Sequence, residues 1–215
     1  MNWLYKLERK FGRFGITNLM LYVVTTMLFV AIFDMVIGFP LSHWFSLIPS
    51  LVAQGQIWRL ITFIFLPPAS TPLALVLSLY FYYIMGSTLE RVWGTFRFNL
   101  YYLFGIVGCI LAGLISGYGT NMYLNLSLFL AFAYLFPDHQ VLLFYIIPIK
   151  MKYLAYLDWA IFAFDLLTGS WPSKVAIIAS LINFFIFFGP DILDRIRRRR
   201  GNNVQRNFRN YYRNR

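Results

Sequence analysis

Gln56-Ile57-Trp58-Arg59-Leu60-Ile61-Thr62 and, further on, Gly86-Ser87-Thr88-Leu89-Glu90 set a guanidinium and a carboxylate inside some of the most apolar sequence of this chain. An ion in hydrocarbon is costly without a partner, so Arg59 and Glu90 each mark a place where the fold has to supply one. The sequence around them, 215 residues, is 60% hydrophobic, 20% aromatic and 13% charged, with a mean hydropathy of +0.63. So little polar surface cannot cover a soluble domain of this size, and the chain belongs in a bilayer. The single cysteine, Cys109, leaves no disulfide framework and no thiolate metal site. No metal and no cofactor are expected.

A helix crosses the hydrocarbon in roughly 20 residues, and apolar runs of that order cover 15–38, 72–90, 97–117, 121–137, 152–169 and 173–189. The segment 40–55 is too polar and proline-broken to cross, and reads as a loop half sunk in the outer interface. Phe63 to Pro68 leads into the second run, and the short apolar piece 142–148 reads as an interfacial connection. The fold expected is all-α: a polytopic bundle of six transmembrane helices over 15–190, a cytoplasmic helix over 1–14 and an arginine-rich cytoplasmic tail over 191–215. In 1–14, Trp3, Leu4, Leu7, Phe11 and Phe14 recur at helical spacing opposite Lys6, Arg9, Lys10 and Arg13, the pattern of a helix lying in the interface. A plain basic lead-in obeying charge topology is the alternative. The segment has no short apolar core ending in small residues, so it is expected to be retained rather than cleaved as a signal.

Six spans put both termini on one side, and the basic residues test that arrangement. Seventeen of the nineteen fall on the cytoplasmic side, leaving only Arg59 and Lys174 outside. The location implied is integral membrane and multi-pass, the cell membrane if the source is prokaryotic. Gly105, Cys109, Gly113 and Gly117 stand at successive i+4 positions of the third run, a small-residue stripe that lets another helix approach closely. Packing inside the bundle and a dimer contact both fit; the oligomeric state stays open.

Trp58-Arg59, together with Gly86, Glu90, Trp93, Gly94, Arg97, Phe98 and Tyr101, resembles the rhomboid family of intramembrane proteases. The resemblance is good from about Leu41 to Pro148 and poor over the last two runs. It implies that Arg59 pins the outer loop to the bundle and that Glu90 braces the inner end of the second span. The stretch Gln56 to Thr62 with Phe65 and Pro67 also looks like a derlin, a relative with the same fold and no protease residues. Leu135-Phe136-Pro137 is more typical of prokaryotic rhomboids.

The chemistry of the family is missing. A serine protease needs a base within reach of the serine hydroxyl, and in rhomboids that base is a histidine on the sixth span. Only His43 and His139 exist here, one expected in the outer loop and the other at the inner side. Both read as solvated or interfacial loop residues. The family's Gly-x-Ser-Gly is absent: the fourth run offers Asn125-Leu126-Ser127-Leu128. Ser127 and Asn183 fall at similar depth, so they, with Asn125, are expected to hydrogen-bond across the fourth and sixth spans. An amide is no general base. With the protease residues missing, what the resemblance implies is a pseudoprotease that binds or routes transmembrane client proteins, as inactive rhomboid relatives do through the lateral opening of that bundle between the second and fifth spans. The alternative is a divergent protease using Ser127.

Asp158 and Asp165 share one face of the fifth run, yet seven residues are about 10 Å of rise, too far to share a proton. They read as structural acids with partners or water, as does Asp34; a transporter using them would lack any repeat or broken-helix pattern. The tail carries nine arginines and no acid after Asp194. Arg197, Arg198, Arg199 and Arg200 read as binding anionic lipid. RNA binding through arginines and Phe208, Tyr211 and Tyr212 is the sharper but less favoured idea, so nucleic acid is not expected as a partner.

Overall fold

The computed structural model describes residues 2–143, 147–171, 173–189 and 192–193. The tail, with Arg197, Arg198, Arg199 and Arg200, lies outside the described residues. The chain runs through α1 (Asn2–Phe11), α2 (Leu19–Ile32), α3 (Leu41–Phe45), α4 (Pro49–Ala53), α5 (Arg59–Thr62), α6 (Pro72–Trp93), α7 (Thr95–Ser116) and α8 (Met122–Leu135). Then come β1 (Gln140–Leu143), β2 (Ile147–Lys150), α9 (Met151–Thr168) and α10 (Ser173–Gly189).

Three helical stretches are long and apolar enough to cross a membrane: Leu19–Ile37, Pro72–Trp93 and Thr95–Ser116. The other apolar helices depart for physical reasons. With 14 residues, α8 spans only about 21 Å at helical rise, but it is buried nearly all round, from Tyr123 to Ala133, and so meets the rest of the chain instead of lipid. Lys152, Asp158 and Asp165 dilute the apolar run of α9. The fold is mostly helical, with several shorter apolar helices beside the three long ones.

The helical fold expected has one addition: the segment after α8, read as a plain interfacial connection, forms an antiparallel hairpin, β1 with β2, in the register Gln140 with Lys150 and Val141 with Ile149. The hairpin is held at its base, where Met151 N–H donates to His139 O (2.8 Å) and Lys152 N–H to Pro137 O (3.0 Å). Asp138 accepts there from Lys152 Nζ (3.3 Å) and Lys150 Nζ (3.4 Å).

Around α8 the helices form an incomplete ring. The α6 helix packs on α2, α7 and α8, while α9 packs on α8 and, through Trp159 with Phe184 and Phe185, on α10. No packing of comparable extent joins α6 to α9. Glycines permit the tight crossings. A Cβ on Gly86 would overlap Met20 of α2, and one on Gly105 would overlap Leu124 of α8. At Gly113 a Cβ would stand 2.9 Å from Leu47 and 3.0 Å from Gly119. The small-residue stripe of α7 is thus covered by the chain's own segments as far as Gly113. Gly117 does something else: at φ +83° it ends the helix, a conformation that favours glycine.

Candidate functional site

At one end of the bundle, Arg59 is 2% exposed and gives three hydrogen bonds. Its Nη1 donates to His43 O (2.8 Å) and Ser46 O (2.7 Å), and its Nε to Gln56 Oε1 (2.7 Å). The planar fork gathers carbonyls of α3 and the residue after it, so one side chain ties the loop to the start of α5. Further ties close the same end. Thr62 Oγ1 donates to Phe45 O (3.2 Å), Gly119 N–H to Leu47 O (2.9 Å), and Asn121 Nδ2 to Ile64 O (3.0 Å) and Leu66 O (2.9 Å). Trp58 takes no part in this network and is exposed. His43 contributes only its carbonyl. Asp34 accepts from the backbone N–H of Ser42 (3.1 Å) and from its hydroxyl, and helps line a cavity of about 510 Å³ with Ser46, Pro67, Tyr118 and Asn121.

At the other end Glu90 Oε1 accepts from Asn18 N–H (2.9 Å) and Thr95 Oγ1 (3.1 Å), joining the start of α2 to the turn between α6 and α7. That turn is Gly94, at φ +85°. Arg97 grips Glu8 of α1 through Nε (3.0 Å) and Nη2 (2.8 Å), so the N-terminal helix is docked on α7 as well as being amphipathic. Asn99 adds a clamp on both backbone groups of Ile16. Trp93 packs against Tyr101 (5.4 Å) and Phe188 (5.3 Å).

Between the two ends lies the place where a dyad would sit. Ser127 is 1% exposed, and its hydroxyl stands 2.5 Å from Tyr101 Oη, which also donates to Ser127 O (2.8 Å). Ser180 of α10 reaches back to Tyr123 O (2.8 Å), and Ser127 Oγ lies 3.5 Å from Ser180 O. Asn183 Nδ2 donates to Tyr101 O (3.3 Å) and leaves its Oδ1 without a partner. Ser127 and Asn183 therefore meet through Tyr101 rather than with each other, and Asn125 joins neither. Sequence reasoning missed Tyr101 and Ser180 as members of this centre. Ser180 carried a signal, standing one helical turn before Asn183 on the same face. Tyr101 read as part of a family pattern, with nothing to say where its hydroxyl would go.

Chemically the centre holds three hydroxyls, an amide and backbone carbonyls. His139 packs edge-on against Phe132 (5.7 Å), one turn and more beyond Ser127 along α8. Among the described residues no group of three or more His, Cys, Asp and Glu side chains could hold a metal ion.

Two further polar side chains are buried without partners beside α8. Asn125 is 2% exposed with neither amide atom hydrogen-bonded; the Tyr82 hydroxyl of α6 is its polar neighbour, outside hydrogen-bond geometry. Asp158 is 4% exposed and its Oδ2 has no partner.

Comparison with curated proteins finds no match. A family model described as "Eukaryotic integral membrane protein (DUF1751)" matches residues 16–188, which takes in α2 through most of α10. The family's description is eukaryotic, so the condition attached to a cell-membrane location does not apply. With most of its length matched, the chain belongs to the eukaryotic integral membrane protein family DUF1751.

Proposed function

We propose that this protein is a rhomboid-like, six-span membrane protein that holds or routes other transmembrane proteins and does not cleave peptide bonds. Both termini then lie in the cytoplasm, with the arginine-rich tail on anionic lipid. The observation that carries the non-enzymatic reading is the sealing of Ser127: its hydroxyl is buried against the Tyr101 phenol, which is no base at neutral pH. A nucleophile needs access and a proton acceptor, and this hydroxyl has neither. The holding role is supported by the arrangement of α6 and α9, which both pack on α8 but not extensively on each other. Aromatic and aliphatic side chains exposed along both helices, Tyr80 and Tyr83 on one and Tyr156, Leu157 and Phe164 on the other, suit contact with a lipid-embedded segment.

A serine-reactive fluorophosphonate tests the first half. No labelling is expected in membranes, and labelling abolished by Ser127→Ala would establish the protease alternative. For the second half, a photo-crosslinking amino acid at Tyr80 or Tyr156 should capture membrane proteins. Adducts with lipid alone would count against client holding.

A further inference from the structure

The cavity beside Asp34 takes no part in the centre around Ser127, and it opens where several apolar helices end. Asp34 stands near the close of the apolar stretch Leu19–Ile37, about 4.5 Å from its last residue along the axis. It lies in a π-helical turn over Phe33–Ile37, an irregularity that proteins favour at functional sites. The other walls are Leu66 to Ser70, just before α6, and Tyr118 to Asn121, between α7 and α8. Walls made from the ends of spans place the cavity at the depth of lipid headgroups. Met35 on its wall is 38% exposed and the next residue, Val36, 78%, so the rim continues onto the lipid-facing side of the helix.

The polar groups inside are mostly acceptors, because their donors are already engaged. Ser42 gives both its N–H and its hydroxyl to Asp34, and Ser46 gives its hydroxyl to Ser42 O. Asn121 gives its amide hydrogens to Ile64 O and Leu66 O, which leaves its Oδ1 as an acceptor on a side chain only 6% exposed. Asp34 carries the one formal charge among the described lining residues. The ion pairs of the described residues, Arg97 with Glu8 and Asp138 with Lys150 and Lys152, do not include it.

Such a lining complements a cation that donates hydrogen bonds. No second carboxylate is present among the described lining residues to help hold a divalent metal ion. A quaternary ammonium calls for an aromatic cage, and Tyr118 is the only aromatic side chain among those residues. A primary ammonium, compact and with N–H donors on every side, suits a single carboxylate among neutral oxygens. We propose that this cavity binds the primary ammonium of a phosphoethanolamine group, from a lipid at the rim or from a soluble molecule, with Asp34 as counter-ion and Asn121 Oδ1 as second acceptor. The exposed hydroxyls of Ser70 and Tyr118 supply donors for the phosphate. At about 510 Å³ the cavity falls within the roughly 300–1,000 Å³ of small-molecule sites. Such a site works whether or not the bundle holds clients.

The full chain, purified in detergent, is offered equal amounts of dioleoyl phosphatidylethanolamine and dioleoyl phosphatidylcholine, which differ only by methyl groups on nitrogen. Bound lipid is counted by native mass spectrometry. The ethanolamine lipid should bind about tenfold more, as expected when methylation removes a charge-assisted hydrogen bond. Asp34→Asn, which keeps the side chain's shape and can still accept from Ser42, should erase the preference. Asp34→Glu, which keeps the charge, should retain part of it. Free phosphoethanolamine separates the two sources: displacement of bound lipid shows that the headgroup suffices, and failure to displace it assigns the site to the lipid. Equal binding of the two lipids, with no effect of phosphoethanolamine on thermal unfolding, would overturn the site. A preference that survives Asp34→Asn in a variant of unchanged unfolding temperature would overturn it equally.

Discussion

Arg59 shows how one residue sets the geometry of a loop. Its three hydrogen bonds reach groups thirteen and sixteen residues away in sequence as well as its neighbour Gln56, the one to Ser46 buried and the other two part-buried. Removing the guanidinium leaves the carbonyls of His43 and Ser46 unsatisfied, so Arg59→Ala should destabilise the protein by about 3 kcal/mol. Arg59→Lys should recover only part, because an ammonium cannot reproduce the fork. Thermal unfolding in detergent and protease cleavage within 40–55 measure both. Asp138 makes a contrasting, exposed case. The Lys152 and Lys150 ammonium groups hydrogen-bonded to it hold its carboxyl below the usual aspartate value. A carboxylate with a depressed folded pKa contributes fully above its unfolded value and loses that contribution as pH falls through the folded one. The hairpin contacts should therefore be complete at neutral pH and fade only in acid. A carboxyl titration followed by NMR should place the midpoint below about 3.9, and replacing both lysines by methionine should raise it. A midpoint that ignores the lysines would dissociate them from Asp138.

At the scale of elements, glycines on facing helices make opposite forecasts. Alanine favours helix over glycine by about 1 kcal/mol, so a substitution with room for a methyl group should be neutral or stabilising. Gly108 has that room, its Cβ standing 3.6 Å from Ala179. Gly86 has none, since the methyl would overlap Met20 close to its backbone, and Gly105 is confined between Leu124 and Asn183. Gly86→Ala should cost about 1–3 kcal/mol, Gly105→Ala somewhat less, and Gly108→Ala nothing, a ranking that denaturation in mixed micelles would check. The stripe at Gly105, Cys109 and Gly113 could be read from i+4 spacing alone, but not which segment covers it. The limits of the long helices were likewise legible to within a few residues, because apolar length dominates in lipid. Residues 140–150 were not: a hairpin of four-residue strands carries too short a period to distinguish it from an irregular connection. At the site, Ser127, Asn125 and Asn183 stood out as polar residues in apolar runs. Tyr101 did not, because a tyrosine in a membrane helix is ordinary until its hydroxyl is seen to find Ser127.

At the scale of the molecule, the order of helices dictates sidedness if every apolar helix crosses. Between the loop held by Arg59 and the hairpin held by Asp138 the chain passes through α6, α7 and α8, an odd number of crossings. The loop and the hairpin should then face opposite compartments. If the short, buried α8 instead turns back within the bundle, only two crossings remain and both face the same side. The basic residues favour the first arrangement, with Lys150 and Lys152 beside the hairpin in the cytoplasm and Arg59 satisfied within its loop. The only native thiol, Cys109, is buried, so introduced cysteines report on themselves. Ser50→Cys in the loop and His139→Cys beside the hairpin should differ completely in sealed vesicles of known orientation. A membrane-impermeant maleimide added outside should label one of them at once and the other only after the membrane is opened. Labelling of both from the same side would exclude six crossings and the shared compartment of the termini, and with it the placement of the arginine-rich tail against cytoplasmic lipid.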